Sequence, residues 1–253
     1  MPLSRPPFFS STPINARRAV GGALLALLAA ICLAPPSAHS ADLANATYSA
    51  PDPSRALAGA ALAKALRAGG LVIYFRHTAT DFSQTDSASS GYSDCANQRL
   101  LSAQGQADAL AIGKEIQRLK LPVAEVLASP MCRTLAHARL SFGEAAVSAR
   151  AALREAQAGA QASGNSGGAG GLSSGYQADY AELKRWLATP PAASTAVGPA
   201  LGNRFIVGHG IPFRAVAGAP HLAEGEAAVL KPEGTAWRVL ARLQVTDWAQ
   251  LVP

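Results

Sequence analysis

Charge is scarce in this chain: Asp, Glu, Lys and Arg make up 15% of its 253 residues, against 49% apolar ones. That balance excludes an intrinsically disordered protein and leaves enough apolar surface for one full core. Aromatic residues are few, at 6%, and no basic run is interleaved with them, so nothing supports nucleic-acid binding. No internal repeat is present, which argues against a solenoid or propeller. Neither His77 nor His209 has another histidine at helical metal-ligand spacing, so no resident metal is expected, and no cofactor motif stands out.

The longest apolar run, Ala19 to Pro35, is shorter than the roughly 20 residues that a membrane-spanning helix needs. It follows Arg5, Arg17 and Arg18 and precedes the small-x-small sequence Ala38-His39-Ser40, so residues 1–40 read as a signal peptide cleaved before Ala41. A periplasmic or secreted protein without a stable membrane span after cleavage is the expectation. Residues 1–40 hold three of the 22 basic residues and none of the 16 acidic ones, which leaves +3 on the exported chain. That modest charge suits an anionic substrate. Of three cysteines, Cys95 and Cys132 remain after cleavage. An oxidising compartment favours a disulfide between them over two buried thiols.

Residues 41–54, rich in small residues and proline, read as a flexible tether, and 55–253 as the folded domain. A helix is expected from Arg55 to Arg67, ended by Gly69-Gly70. Leu71 to Phe75 is a continuous apolar, β-branched run of the kind that forms buried parallel strands. Val123 to Ala128 and Phe205 to Val207 are two more, and 227–230 and 236–245 are expected to finish the sheet at an edge. Thr78 to Asn97 has no periodicity and reads as a long functional loop. Ser102 is placed to cap a helix through Ile116, and Met131 to Phe142 and Gln177 to Leu187 return to helical spacing. Residues 156–175 are low in complexity and read as a flexible insertion. Strands alternating with helices predict a three-layer α/β/α sandwich with a largely parallel sheet.

Ligands bind beyond the carboxyl ends of strands in such sheets. The three strand ends carry Arg76-His77, Ser129-Pro130-Met131-Cys132-Arg133-Thr134 and Gly208-His209-Gly210. Together with Leu101-Ser102-Ala103-Gln104-Gly105-Gln106-Ala107 between the first two, in this order, they resemble the histidine phosphatase superfamily, which includes phosphoglycerate mutases and many acid phosphatases. The likeness spans about Leu71 to Thr246. It departs at Thr78, where that family usually has glycine.

The resemblance implies that His77 is the nucleophile, forming a phosphohistidine, while Arg76, Arg133 and His209 hold the phosphoryl group. Arginine suits that task because its planar fork pairs bidentately with phosphate oxygens and stays charged. The nucleophilic nitrogen must be unprotonated, so the other ring nitrogen of His77 is expected to donate to a fixed acceptor such as a backbone carbonyl. Thr80 and Ser83 fall where the family places phosphate donors. Glu155 is the candidate proton donor to the leaving group, with Asp81 its competitor. His137, four residues after Arg133, is read as a helix-surface residue or part of the pocket rim.

The expected function is that of an exported, metal-independent phosphomonoesterase acting on a small phosphate ester. Exported relatives make an envelope sugar phosphate the candidate. The alternative is a catalytically inactive phosphate-binding module of the envelope.

Overall fold

The computed structural model describes residues 51–52, 54–154, 174–191 and 201–252, with the side chains of 174–179 outside the description. The expected signal segment 1–40, most of the expected tether and most of the expected insertion therefore lie outside the described residues, as does Glu155.

The chain forms helix α1 (Gly59–Ala68), strand β1 (Val72–Arg76), α2 (Ala103–Arg118), β2 (Val123–Ala128), α3 (Cys132–Phe142) and β3 (Val147–Ala149). It continues through α4 (Ser174–Ala188), β4 (Asn203–Gly208), α5 (Gly210–Ala217), β5 (Ala227–Pro232) and β6 (Trp237–Leu243). The helix expected from Arg55 begins only at Gly59. Ser174 and Gly175, expected to lie in the flexible insertion, already belong to α4. Strand β3 and helix α5 carry no sequence signal strong enough to announce them: one is three residues long, the other eight.

Six strands form one sheet in the order β3-β2-β4-β1-β5-β6. The first four run parallel, β5 is antiparallel to β1, and β6 is antiparallel to β5. Side chains on a strand alternate between faces, and here the alternation separates two cores. Ile73 and Phe75 join Phe205, Val207, Val126 and Ala128 beneath α1, α2 and α3, together with Trp248 from the C-terminal turn. Val72 and Tyr74 join Ile206 and Leu127 beneath α4 and α5. Helices cover both faces, so the fold is a three-layer α/β sandwich. The unbroken apolar character of β1 and β4 is the consequence of burial on both sides. Among the described residues, no helix is long and apolar enough to cross a membrane.

Two local features aim the site. Ser102 caps α2, its hydroxyl accepting from the Gly105 backbone N–H at 3.0 Å. The same hydroxyl donates to the carbonyl of Ala79 at 3.3 Å, and the Ser102 N–H donates there at 3.0 Å. The start of α2 thereby pins the segment that leaves β1. Further along, α2 packs on α3 at Gly113, where an added Cβ would meet the Ser141 carbonyl oxygen at 2.6 Å and its Cα at 2.8 Å.

Both atoms belong to backbone and cannot move aside. Gly113→Ala is therefore expected to force the two helices apart at a cost of about 1–3 kcal/mol, measured as a fall in the urea midpoint with an unchanged slope.

Candidate active site

Strand β4 lies between β1 and β2, and its register sets which strand ends meet. Arg76 is paired with Gly208, and Ala128 with Val207. The pairing continues one residue past the strands: the His77 N–H donates to the Gly208 carbonyl at 3.0 Å, and the Ser129 N–H to the Val207 carbonyl at 2.9 Å. His77, Ser129 and His209 are thus brought together at one edge of the sheet. The rings of His77 and His209 stand edge to face, 5.4 Å apart between centroids.

His77 is 1% exposed, and its Nδ1 lies 2.9 Å from the Thr78 carbonyl oxygen. A carbonyl can only accept, so Nδ1 carries the proton and Nε2 keeps its lone pair. Burial, with smaller contributions from Arg133, Arg76 and His137, pushes the His77 pKa down to about 3 despite the opposing effect of the Thr78 carbonyl. The imidazole is neutral at any ordinary pH. His209 is fully buried, and burial first, then the neighbouring His77, Arg133 and Arg76, hold its pKa well below the usual value. Its Nε2 meets the Ser129 hydroxyl at 2.9 Å. Its backbone is fixed by Tyr74, whose hydroxyl donates to the His209 carbonyl at 2.9 Å and accepts from its N–H at 3.1 Å.

Arg133, in the first turn of α3, is 1% exposed. Its Nη1 reaches both carboxylate oxygens of Asp86 at 3.1 Å. Arg76 donates through Nη1 to the Leu222 carbonyl at 3.0 Å and pairs through Nη2 with Glu224 at 3.5 Å. Glu224 also accepts from the Thr80 hydroxyl at 2.9 Å and from its N–H at 3.2 Å. The turn bearing Glu224 is anchored by Glu226, which is buried and pairs with Arg242 and the Ala223 N–H. Each site arginine therefore has a carboxylate partner. Neither Asp86 nor Glu224 has a recognisable sequence signal, because both sit in irregular segments and approach the arginines only through the fold.

Four candidate residues, Arg76, His77, Arg133 and His209, converge. Thr80 reaches the same region but is engaged by Glu224. Ser83 does not: its hydroxyl and N–H both turn to Asp81, at 2.7 and 2.9 Å, in an exposed turn. These same bonds lower the Asp81 pKa, the wrong direction for a proton donor. His137 corrects the expectation of a helix-surface residue: it is fully buried, 5.3 Å edge-on to Phe75. The face of α3 that carries Arg133 also packs on β1, and position 137 lies one turn along it. Both ring nitrogens of His137 are buried without a hydrogen-bond partner among the described residues.

Cys95 and Cys132 form a disulfide, with Cα atoms 5.7 Å apart. It ties the loop after β1 to the start of α3, one residue before Arg133. Gln98 reinforces the tie, accepting from the Cys132 N–H at 2.9 Å and donating to the Gly91 carbonyl at 2.9 Å.

The fold and the pocket define an α/β protein that gathers two arginines and two neutral histidines beyond the carboxyl ends of adjacent parallel strands. No family model matches the sequence, and no curated protein is detectably similar to it. Solved structures similar to it belong to histidine phosphatases. They include a phosphoserine phosphatase from Entamoeba histolytica crystallised with phosphoserine (13% identity, 70% of this chain and 98% of that one, TM-score 0.48). An alpha-ribazole phosphatase from Shigella flexneri aligns at 16% identity over 67% of this chain and 94% of its own, with a TM-score of 0.44. The protein histidine phosphatase SixA complexed with tungstate aligns at 13% identity over 70% and 97%, with a TM-score of 0.45.

The buried imidazoles make stability depend on pH with a definite sign. Their folded-state pKa values lie below the unfolded value, so the unfolded chain binds more protons under acid conditions. Stability is full above about pH 6.5 and is lost as pH falls from there toward about 3 for His77 and His137. His137→Leu is expected to make that decline shallower by about 1 kcal/mol per pH unit, measured by urea unfolding between pH 7 and 5. Breaking the disulfide, whose cysteines are 37 residues apart, with Cys95→Ser is expected to cost about 3–4 kcal/mol, read in the same unfolding assay.

Proposed function

We propose that this chain is an exported phosphomonoesterase that hydrolyses a small phosphate ester through a phosphohistidine on His77, without a metal. The observation that carries this reading is the bond from His77 Nδ1 to the Thr78 carbonyl. It leaves Nε2 as a neutral nucleophile among the charges of Arg76 and Arg133.

Phosphoryl transfer places negative charge on three equatorial oxygens, and catalysis consists largely of positioning and of offsetting that charge. Arg76 and Arg133 supply the fixed cationic donors, and their carboxylate partners Glu224 and Asp86 hold the two forks in place for the phosphate. Nε2 of His77 attacks phosphorus and the bond to the leaving oxygen breaks. Water then attacks the phosphohistidine, releasing phosphate and restoring the imidazole. His209, with its ring fixed by Ser129, supplies a further polar contact to a non-bridging oxygen.

The leaving oxygen needs a proton unless it is a stable anion. Glu155 is the proposed donor. Its sequence position after α3 supports this role, and its placement lies outside the described residues. An aryl phosphate bypasses the requirement, which makes it the appropriate first substrate. The proposed location is the periplasm or the exterior, on the strength of the leader in residues 1–40, and an envelope sugar phosphate is the proposed physiological substrate.

Purified protein should hydrolyse para-nitrophenyl phosphate in EDTA, and His77→Ala should lower kcat by at least about a thousandfold, the scale expected for loss of a covalent nucleophile. Turnover that survives the substitution would refute the mechanism. A folded protein that binds phosphate without turnover would be the inactive binding module.

A further inference from the structure

Three arginines of the described residues stand at or beside the phosphoryl site, and among those residues two have a carboxylate partner and one has none. Arg133 is held by Asp86 and Arg76 by Glu224. Arg99 forms no ion pair among the described residues, and its Nε is buried without a hydrogen-bond acceptor among them. A half-buried guanidinium in this condition calls for an anion.

Its location is fixed by geometry. The Arg99 backbone N–H donates at 2.8 Å to Asp86 Oδ1, the same oxygen that accepts from Arg133 at 3.1 Å. One carboxylate oxygen thus links the Arg99 backbone to the Arg133 side chain. The Arg99 guanidinium lies 4.8 Å over the ring of Phe82, which is 70% exposed, so its charge sits toward solvent from the buried cluster. It remains close enough to depress the basicity of His209. The preceding residue, Gln98, is locked to Cys132 and to Gly91, so the side chain is presented from a fixed backbone.

We infer that Arg99 forms an anion subsite at the outer edge of the phosphoryl pocket, selecting phosphate monoesters whose leaving group itself carries a carboxylate or a second phosphate. The inference rests on the phosphoryl pocket proposed above. With the transferred phosphoryl group seated against Arg76, Arg133 and His209, the leaving group points outward. An anion on it meets Arg99, which has no carboxylate partner among the described residues to displace. A neutral leaving group leaves the guanidinium unpaired and gains nothing from it.

The test is binding of phenyl phosphate and 4-carboxyphenyl phosphate, followed by calorimetry, to the His77→Ala protein with and without Arg99→Ala. With Arg99 present, the carboxylated ester should bind about fivefold tighter or better, the scale of a partly exposed charge pair. Arg99→Ala should abolish that preference, Arg99→Lys should keep part of it, and 0.5 M salt should shrink it, where roughly 0.5 M lies well beyond physiological screening. Should Arg99→Ala not fold, Arg99→Gln retains the stem and a planar head while removing the charge. Equal weakening of both esters would overturn the inference, because Arg99 would then serve the transferred phosphoryl group or the fold. So would the absence of any preference while Arg99 is in place. Turnover of phenyl phosphate by the protein with His77 intact reports separately on the phosphatase reading.

Discussion

The placement of β4 between β1 and β2 is the constraint from which the site follows. Parallel pairing sets three strand ends at one edge, and the two backbone hydrogen bonds beyond the strands, from His77 to Gly208 and from Ser129 to Val207, carry the register into the loops. A slip of one residue would turn every strand side chain to the opposite face and separate His77 from His209. The apolar residues of β1 and β4, buried on both sides, make such a slip prohibitively costly. Core packing and site geometry are therefore one arrangement.

Electrostatics then divides the labour. The two histidines are kept neutral by burial, and the two arginines stay charged because that is their chemistry at any relevant pH. Carboxylates from distant segments, Asp86 and Glu224, hold those arginines. The disulfide and Gln98 fix the loop that carries Asp86 and Arg99 against α3. An otherwise irregular segment of the chain acquires a defined position in this way.

Much of this was legible before any coordinates. The apolar runs located β1, β2, β4 and the two antiparallel strands within a few residues, and the Ser102 cap located the start of α2. Short elements such as β3 escaped because three residues hold too little pattern. His137 was misread because helical spacing identifies a face but not what that face meets; here it meets β1 and Phe75. The family pattern points Ser83 toward the site and closeness to His77 in sequence points Asp81 there, whereas a local turn between the two satisfies both.

By itself the sequence determined the alternation of strands and helices, the parallel character of the sheet, and the presence of arginine and histidine at three strand ends. Those are properties of contiguous residues, written in local periodicity and composition. Only the tertiary structure decided that the Thr78 carbonyl selects the tautomer of His77, that Asp86 and Glu224 neutralise two arginines, and that Arg99 has no such partner among the described residues. The two ion pairs join residues far apart in the chain, and the bond between the neighbours His77 and Thr78 depends on how the backbone turns as it leaves β1. Each arises from the closing of the sheet and the covering of its faces, and no local pattern specifies them.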